Sequence, residues 1–594
     1  MRYQILLRTH GRAMVAIATL VTAVACKGAH SGEANGEIAQ TWTPNGASSS
    51  MNVSTAAVSA AIATKIAGKP PAPLAKDTWE HAQKLYSNYK NAPLWLTGDG
   101  LNQARAGALM LALADGASDG LRLQDYPLAA LGGAIDTLSS TKTPTAEQLA
   151  NIDVMLTATY VALGEGLMTG QVDPKSVNQS WHISGKEEKV DSALFRSIRA
   201  DQLDRAIALM RPRDEGYDSL RVQLAKYRML APKAWTKVPD GKALTAGQTD
   251  SPVRIAALKT RLSEEGYFTD SAATTPAPAT ADTTSRSRPK PATSVFTRQL
   301  ARAVGQFQSH HGIPVDSSLG GETVAAMNVP ASYRAAQIAA NLERYRWMPR
   351  ALGERYVMVN VPAFKVAAYD SGKQVLEMKV IVGQEYEGKA TPVFADTMQY
   401  VVFRPFWNVT PDIQAKEFEP KIAADPGYLD RGGFEYYKDG GTTRIRQKPG
   451  PKNSLGLVKF LFPNDFNIYL HDTPNDELFK KDIRAFSHGC IRLEKPDQMA
   501  QFVLGWDMDK IHEAMNSGPD NKTVTLKQPI PVYITYFTAF VTDGQLYFGN
   551  DLYKRDGTLV EMMAPGALPS EDALRASRAL HALAEKWGVR DLNH

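Results

Sequence analysis

In the first half of the chain, apolar residues recur every three or four positions, which is the spacing of amphipathic helices. The stretch 145–168 illustrates the pattern, because Thr145 can cap a helix and Gln148 follows three residues later, as a capping box requires. The spacing continues to about Ala231. We therefore predict a helical scaffold domain over residues 76–245.

A second helical unit is predicted over residues 251–330. Helices are expected at 253–265, closed by Gly266, at 296–310, and from about Glu322 onward. Between the first two helices, residues 269–294 are almost entirely Thr, Ala, Pro, Ser and Arg, a composition that cannot bury a core. We predict a three-helix module with a disordered insertion.

From about Arg355 onward the chain changes to short runs of β-branched and aromatic residues. The runs 356–361 and 375–382 are typical of strands, and 370–373 between them predicts a hairpin turn. These features predict a mainly-β domain over residues 350–525.

Two segments depart from this strand pattern. The residues from about 405 to 440 predict helices and loops, and we expect them to form an insertion into the β domain. Residues 526–594 predict two more strands and a terminal helix at 570–587, packing on the β domain. The predicted fold class is thus multidomain α+β.

Composition and charge exclude some functions. The 594 residues are 43% hydrophobic and 22% charged, which is ordinary for a globular protein and too long for one core. The net charge of +5 is small, and basic and acidic residues are interspersed. We do not expect nucleic acid as a partner.

The N-terminus has the features of an export signal. Arg2, Arg8 and Arg12 precede an apolar run, 13–25, that is too short for a spanning helix. We predict a signal peptide at 1–26, followed either by lipidation of Cys26 or by plain cleavage. Residues 27–75 are rich in Ala, Ser, Gly and Thr and predict a flexible tether with one short helix near Thr55–Ile66. The mature chain is expected in the periplasm, soluble or lipid-anchored.

Cys26 and Cys490 are the two cysteines of the sequence, so Cys490 is alone in the mature domains. A lone thiol in an exported protein is either a buried apolar group or a reactive one. The neighbouring sequence favours the reactive alternative. His471 precedes Ser487-His488-Gly489-Cys490 by fifteen intervening residues, and an imidazole is the usual base for a thiol.

Gly489 adds to this interpretation, because a residue without a side chain permits a tight turn and close approach of a substrate carbonyl. The amides of Gly489 and Cys490 are then natural oxyanion donors. A metal site is the alternative, but His471, His488 and Cys490 supply at most three ligands and no second cysteine is at hand. We predict no metal and no cofactor.

The spacing from His471 to Ser487-His488-Gly489-Cys490 resembles the signature of the YkuD-type L,D-transpeptidases. Further segments resemble the large YcbB-like subfamily. These segments are 341–349, 405–409, 448–453 and 494–496.

The resemblance implies a reaction. Family members attack a tetrapeptide stem of peptidoglycan through the cysteine, release D-alanine, and pass the acyl group to the amine of a second stem's diaminopimelate, giving a 3→3 cross-link. By position, Cys490 is the nucleophile and His471 the general acid/base. The carbonyl of Asp472 orients that histidine. Carbapenems are expected as covalent inhibitors.

The resemblance also assigns supporting roles. His488 and Gly489 shape the oxyanion pocket together with Cys490, and Ser487 is a hydrogen-bonding support. Arg492 suits a substrate carboxylate, although a structural salt bridge is equally consistent. The insertion at about 405–440 corresponds to a capping subdomain.

The unit 251–330 resembles a three-helix peptidoglycan-binding module, from which its long insertion departs. His310, His311 and Asp316 also suggest a zinc peptidase, but they fall in the module's own helix-to-loop pattern.

Other functions stay open at this point. An L,D-carboxypeptidase would use water as acceptor, and small relatives join lipoproteins to peptidoglycan or release them. A non-catalytic peptidoglycan-binding protein is the alternative from another class. It has no need of a thiol and a base at this spacing.

Overall fold

The computed structural model describes residues 53–183, 189–269, 294–385 and 388–589. The predicted signal peptide with Cys26, the start of the predicted tether and nearly all of the predicted insertion 269–294 lie outside these ranges. Within the described ranges, no helix is long and apolar enough to cross a membrane.

The N-terminal part is helical, as predicted. Its helices are α1 Thr55–Ile66, α2 Lys76–Asn88, α3 Gln103–Gly116, α4 Leu128–Ser140, α5 Ala146–Thr169, α6 Pro174–Val177, α7 Val190–Ser197, α8 Leu203–Ala208 and α9 Glu215–Leu230, with a small hairpin of β1 Leu96–Thr97 and β2 Gly100–Leu101. Helix α5 is the central one, and the capping box of Thr145 and Gln148 is present at its start. The apolar spacing was informative because α5 is buried along its whole length.

The structure corrects the predicted tether. Helix α1 forms where it was expected, but it packs on α5 and buries Val58, Ile62 and Ile66 in the scaffold core. Small residues dominate its sequence, and small side chains allow two helices to approach closely. Residues 55–66 therefore belong to the scaffold domain.

The three-helix module agrees with the prediction. It consists of α10 Pro252–Glu264, α11 Arg298–His310 and α12 Gly321–Met327, and β3 Thr249–Asp250 pairs with β4 Ser294–Val295. Gly266 follows α10 with φ +86°, a conformation that favours glycine.

The C-terminal half is a sheet with a helical surround. Its strands are β5 Arg355–Asn360, β6 Lys365–Asp370, β7 Lys373–Gly383, β8 Phe394–Phe403, β9 Trp407–Asn408, β10 Phe434–Asp439, β11 Thr442–Gln447, β12 Val458–Leu461, β13 Leu470–His471, β14 Ala485–Ser487, β15 Ile491–Leu493, β16 Lys522–Thr535, β17 Ala539–Thr542 and β18 Gln545–Phe548. Nine of them form one sheet in the order β14-β7-β15-β13-β12-β8-β16-β5-β6. Because β6 also pairs with β7, the order closes on itself as a barrel.

The remaining helices are α13 Ala331–Arg346, α14 Pro411–Ile413, α15 Glu419–Ala424, α16 Tyr428–Arg431, α17 Pro496–Leu504, α18 Met508–Asn516, α19 Gly557–Ala567 and α20 Glu571–Lys586. Between α14 and α15 the segment Gln414–Phe418 is a π-helical turn. Helix α13 packs on α9 and α19 and lies between the scaffold and the sheet.

The predicted end of the β domain at residue 525 is wrong. Strand β16 runs through that position and pairs with both β8 and β5. Its Lys522–Lys527 part alternates polar residues with Val524 and Leu526, as a strand with one buried face does. Hydrogen bonding to two neighbours makes it one continuous strand.

The terminal helix is also placed differently from the prediction. Helix α20 packs on α3 and α4 and buries Ala573, Leu580 and Ala584 in the scaffold core, away from the catalytic region. A Cβ on Gly107 of α3 would lie 3.5 Å from the Cβ of Ala584, so small residues permit this close packing.

The insertion forms a separate capping subdomain that extends beyond its predicted end at about residue 440. Strands β10, β11 and β9 make their own three-stranded sheet, which brings residues up to Gln447 into the subdomain. Its small core consists of Val409, Phe418, Leu429, Phe434 and Ile445.

A buried ion pair joins α13 to the scaffold. Glu343 and Arg346 are both 0% exposed, and Arg346 donates to Glu343 Oε2 at 2.6 and 3.0 Å. The other carboxylate oxygen accepts the amides of Gln171 and Val172 at 2.5 and 2.7 Å. A Cβ on Gly170 would lie 2.3 Å from that oxygen, so only glycine fits beside it.

We predict that Glu343→Gln lowers the free energy of unfolding by about 3 kcal/mol, because Arg346 would keep its buried charge without a counter-charge. Urea denaturation followed by tryptophan fluorescence measures this. Glu377→Gln is the control, since its pair with Lys365 is partly exposed and contributes at most about 1 kcal/mol. Equal effects of the two substitutions would contradict the role of the buried pair.

Candidate active site

A short parallel pairing forms the base of the site. In the register of β13 and β15, Leu470 lies opposite Ile491 and His471 opposite Arg492. Neighbouring positions of a strand point to opposite faces. Leu470 and Ile491 are accordingly buried in the barrel core, at 0% exposure.

The other face of this pairing opens into a cavity of about 790 Å³. Tyr469, His471, Cys490 and Arg492 all line it, as two-residue alternation requires. The main chain of Ile491 donates to the carbonyl of Tyr469 at 3.0 Å, which fixes the Cys490 end of the pairing. The structure thus brings the predicted nucleophile, base and arginine together on one wall.

Cys490 lies deep in this wall and meets the cavity with part of its surface. Its Sγ donates to the carbonyl of Asn467 at 3.6 Å. Burial raises the pKa of the thiol to about 11, although hydrogen bonding with Tyr469 and the positive charges of Arg492 and Lys459 oppose the rise. The resting sulfur is therefore protonated at neutral pH.

His471 is 4% exposed, and its Nδ1 lies 2.6 Å from the carbonyl oxygen of Asp472. A carbonyl can only accept, so Nδ1 carries the proton and Nε2 is left as the basic nitrogen. Burial lowers the pKa of His471 to about 3, and the charges of Arg492 and Lys459 lower it further against the hydrogen bond to Asp472. The imidazole is neutral across the physiological range.

Asp472 contacts His471 through its main chain and two further main-chain amides through its side chain. Its carboxylate accepts the amides of Leu457 and Thr473, each at 2.7 Å. Burial raises the pKa of this carboxyl to about 6 in spite of these two bonds. The side chain thereby ties β13 to the loop before β12, and the main-chain carbonyl is held in place for His471.

Ser487 and Gly489 build the turn before the cysteine. Ser487 Oγ donates to the carbonyl of Cys490 at 2.5 Å and accepts the amide of Gly489 at 3.1 Å. Gly489 has φ +114°, and a Cβ there would lie 2.9 Å from Ile468 Cδ1. Glycine is required at this position on both grounds.

One predicted role needs correction. The amide of Gly489 was expected to point at a substrate oxyanion, but it donates to Ser487 Oγ. The turn is tight enough for the serine hydroxyl to reach that amide, which a linear motif does not reveal. That the amide of Cys490 donates to the substrate oxyanion stays a prediction.

His488 lines the cavity, and its imidazole also makes a contact that was not predicted. Its Nε2 lies 2.5 Å from Glu417 Oε1 of the capping subdomain. Lys389 Nζ lies 3.3 Å from the same oxygen. The side chain of His488 thus contacts the cap at the edge of the cavity.

Arg492 keeps its substrate-binding prediction. Its guanidinium is largely buried, and burial lowers its pKa while the neighbouring Cys490 raises it. In the described part of the chain, its Nε has no hydrogen-bond partner. A buried donor without a partner costs free energy, and an anionic ligand group in the cavity would supply one.

The cap supplies the opposite wall of the cavity. Its lining side chains there include Trp407, Asp412, Tyr437, Asp439 and Arg444. Trp407 belongs to the segment 405–409 noted in the sequence, whereas the other four residues lie in a part of the insertion without a motif. Their placement makes the cavity a covered cleft of a size suited to a peptide ligand.

Other contributors were missed by sequence reasoning as well. Thr391 Oγ1 donates to the carbonyl of Gly489 at 2.8 Å and accepts the amide of Gly383 at 3.0 Å. Tyr553 donates to the carbonyl of Gly383 at 2.7 Å. These bonds hold the turn at Gly489 in place from β7 and from the C-terminal segment. No motif in the sequence links Gly383, Thr391 and Tyr553.

The scaffold also reaches the site. His182 packs on Phe466, with ring centroids 4.7 Å apart, and Phe466 lines the cavity next to Asn467. The amide of His182 donates to the carbonyl of Val393 at 2.7 Å. The scaffold therefore supports the loop whose carbonyl receives the thiol.

The metal alternatives receive no support from the geometry. Over the described ranges, no three His, Cys, Asp or Glu side chains are grouped so that they could hold a metal ion. In the module, His311 stacks on Phe307, His310 contacts Tyr267, and Asp316 accepts from Gln308 at 2.7 Å. Each of these candidate ligands has a structural partner.

Three family models match the chain. Residues 354–534 match the L,D-transpeptidase catalytic domain YkuD, residues 80–224 match a scaffold domain, and residues 252–327 match the "putative peptidoglycan binding domain". The matched ranges cover the β barrel, the helical part and the three-helix module.

A "putative L,D-transpeptidase" of Haemophilus influenzae is 31% identical over 240 residues, which are 37% of this chain and 48% of the relative. The match thus spans about half the length of that relative. Among solved structures, an L,D-transpeptidase fragment from Xylanimonas cellulosilytica aligns with 50% of this chain and 99% of its own, at 16% identity and a TM-score of 0.17. A structural match this weak gives no information about function.

We predict that alkylation of Cys490 by iodoacetamide accelerates about tenfold per pH unit between pH 6 and 9, because a thiol of pKa about 11 ionises progressively over that range. Mass spectrometry of the chain, with Cys490→Ala as the blank, gives the rate. A rate that is constant from pH 6 to 8 would instead indicate a preformed thiolate–imidazolium pair.

Proposed function

We propose that this chain, which carries a YkuD-family L,D-transpeptidase catalytic domain and a peptidoglycan-binding domain, makes 3→3 cross-links between diaminopimelate residues of peptidoglycan. The observation that carries the proposal is the shared wall of the covered cavity, which is lined both by His471 of β13 and by Cys490, the residue directly before the paired strand β15. A protein that only binds peptidoglycan has no need of this pair.

In the first half-reaction, Cys490 attacks the carbonyl of the third residue of a donor tetrapeptide. Nε2 of His471 takes the thiol proton as the C–S bond forms, since the resting thiol and imidazole are both neutral. The tetrahedral intermediate collapses with cleavage of the C–N bond to the terminal D-alanine. His471 returns the proton to the leaving amine, and a thioester remains on Cys490.

In the second half-reaction, the side-chain amine of an acceptor diaminopimelate attacks the thioester. His471 removes a proton from the amine, the C–S bond breaks, and Cys490 leaves as the thiol. The Cys490 amide, and the positive charges of Arg492 and Lys459, stabilise the negative charge that develops on the carbonyl oxygen. Arg492 also holds a carboxylate of the stem peptide.

The capping subdomain favours transfer over hydrolysis. Water competes with the acceptor amine for a thioester, and a covered cleft lowers its access. An L,D-carboxypeptidase would lack this advantage, because water is its acceptor. The lipoprotein-joining reaction remains an outcome that product analysis would reveal.

The proposal includes a location and an inhibitor class. The chain acts in the periplasm after export by residues 1–26, anchored by lipid at Cys26 or released by plain cleavage. The three-helix module keeps it on the peptidoglycan mesh. Carbapenems acylate Cys490, because a strained lactam carbonyl can occupy the position of the donor carbonyl.

We predict that the wild-type chain converts disaccharide tetrapeptides into 3→3 dimers and that Cys490→Ala makes none. His471→Ala is expected to lose at least about a hundredfold in rate, the usual contribution of a general base. His512→Ala, which alters a half-exposed histidine outside the cavity, is the control and retains the rate. Liquid chromatography with mass spectrometry measures the products.

Tripeptide as the sole product would establish a carboxypeptidase in place of the transpeptidase. Absence of both product and carbapenem adduct on Cys490 would contradict the catalytic proposal and favour a binding protein.

A further inference from the structure

One carboxylate of the capping subdomain contacts both chain segments that flank the nucleophile. Glu417 Oε1 lies 2.5 Å from Nε2 of His488 and 3.3 Å from Nζ of Lys389. His488 directly precedes Gly489 and Cys490. The contact therefore runs from the cap to the turn that carries the thiol.

Lys389 belongs to the segment on the other side of that turn. A Cβ on Gly489 would lie 3.6 Å from the Lys389 carbonyl oxygen, and a Cβ on Gly383 would overlap the same atom. Two residues later, Thr391 donates to the carbonyl of Gly489. A shift of Lys389 is thus transmitted to the turn by contact.

We propose that Glu417 is a positioning residue that holds the cap closed over Cys490 through His488 and Lys389, and that this closure directs the acyl group to an amine in preference to water. The second part of the inference, the preference for an amine over water, rests on the proposed transpeptidase function. The closure itself depends only on the geometry of the contact.

The local structure fixes Glu417 for this role. It lies in the π-helical turn Gln414–Phe418, and the next residue, Phe418, is 4% exposed in the core of the cap. Single π turns within helices frequently mark functional positions. The anchored phenylalanine leaves the adjacent glutamate pointing out of the cap toward the barrel.

Charge complementarity supports the contact. Partial burial alone would raise the pKa of Glu417, but the hydrogen bonds and charges of His488 and Lys389 bring it below its usual value. The carboxylate is therefore ionised where it meets the two nitrogens.

Such a contact contributes little free energy, and a small contribution is enough to shift the cap between its open and closed states. Partly exposed charge-assisted pairs contribute about 1 kcal/mol, which changes an open–closed equilibrium about fivefold. A latch of this size shifts the cap toward the closed state and still lets substrate enter.

Glu417→Gln tests the inference, with Glu435→Gln as the matched control. Glu435 also pairs with two cations, Arg446 and Lys448, but both belong to the cap hairpin region and not to the turn of Cys490. Two quantities are measured for each variant: the rate of Cys490 alkylation by iodoacetamide without substrate, and the ratio of 3→3 dimer to tripeptide product.

We predict that Glu417→Gln speeds alkylation and lowers the dimer-to-tripeptide ratio, each about three- to tenfold, as loss of one such pair implies. Glu435→Gln should match the wild type in both. Glu417→Asp keeps the charge and should recover most of the wild-type product ratio, which a damaged fold would not do. His488→Gln should resemble Glu417→Gln, and the double variant should add little to either.

Three results would overturn the inference. They are identical behaviour of Glu417→Gln and Glu435→Gln, full additivity of the Glu417 and His488 substitutions, and failure of Glu417→Asp to restore the product ratio. If the wild type makes no dimer, the proposed transpeptidase fails, and the alkylation rates still decide whether Glu417 closes the cap.

Discussion

The parallel pairing of β13 with β15 is the constraint on which the site depends. It is only two residues long, yet it sets which side chains face the core and which face the cavity. A shift of one residue would turn His471 and Cys490 toward the barrel core and Leu470 and Ile491 toward the cavity. The apolar pair, 0% exposed in the barrel core, makes that shift costly.

The charges of the wall follow from this placement. Burial keeps the thiol protonated and the imidazole unprotonated, while Arg492 and Lys459 supply positive potential beside both. In the proposed reaction, the thiol therefore stays in a resting form until a base and a carbonyl are both aligned with it. The geometry of this one wall depends on three features: the cap, the scaffold contact at His182 and the hydrogen bonds through Thr391.

The sequence predicted the multidomain α+β fold class, and it named two candidate residues that the structure places on one wall of the cavity. His471 and Cys490 could be found because a lone thiol and an imidazole at this spacing are local features that few structural roles require. The pairing of β13 with β15 could not be found, since two- and three-residue strands are too short to show alternation. Glu417, Thr391 and Asn467 act through a hydrogen bond across long stretches of chain, for which composition and periodicity carry no signal.

The domain ends were misjudged for a similar reason. Helix α1 and helix α20 were recognised as helices, but what each packs against is a tertiary property that a helical pattern leaves open. Their small residues fit the scaffold closely, and the scaffold core therefore includes segments from both ends of the described chain.

The most direct test is to trap the acyl-enzyme. The chain is mixed with a tetrapeptide donor in the absence of an acceptor amine, quenched in acid within seconds, and digested for tandem mass spectrometry. The account predicts a thioester on Cys490 whose mass equals the donor minus D-alanine, absent from Cys490→Ser. Accumulation of tripeptide or dimer without any adduct on Cys490 would contradict it, because the reaction would then proceed without this thiol.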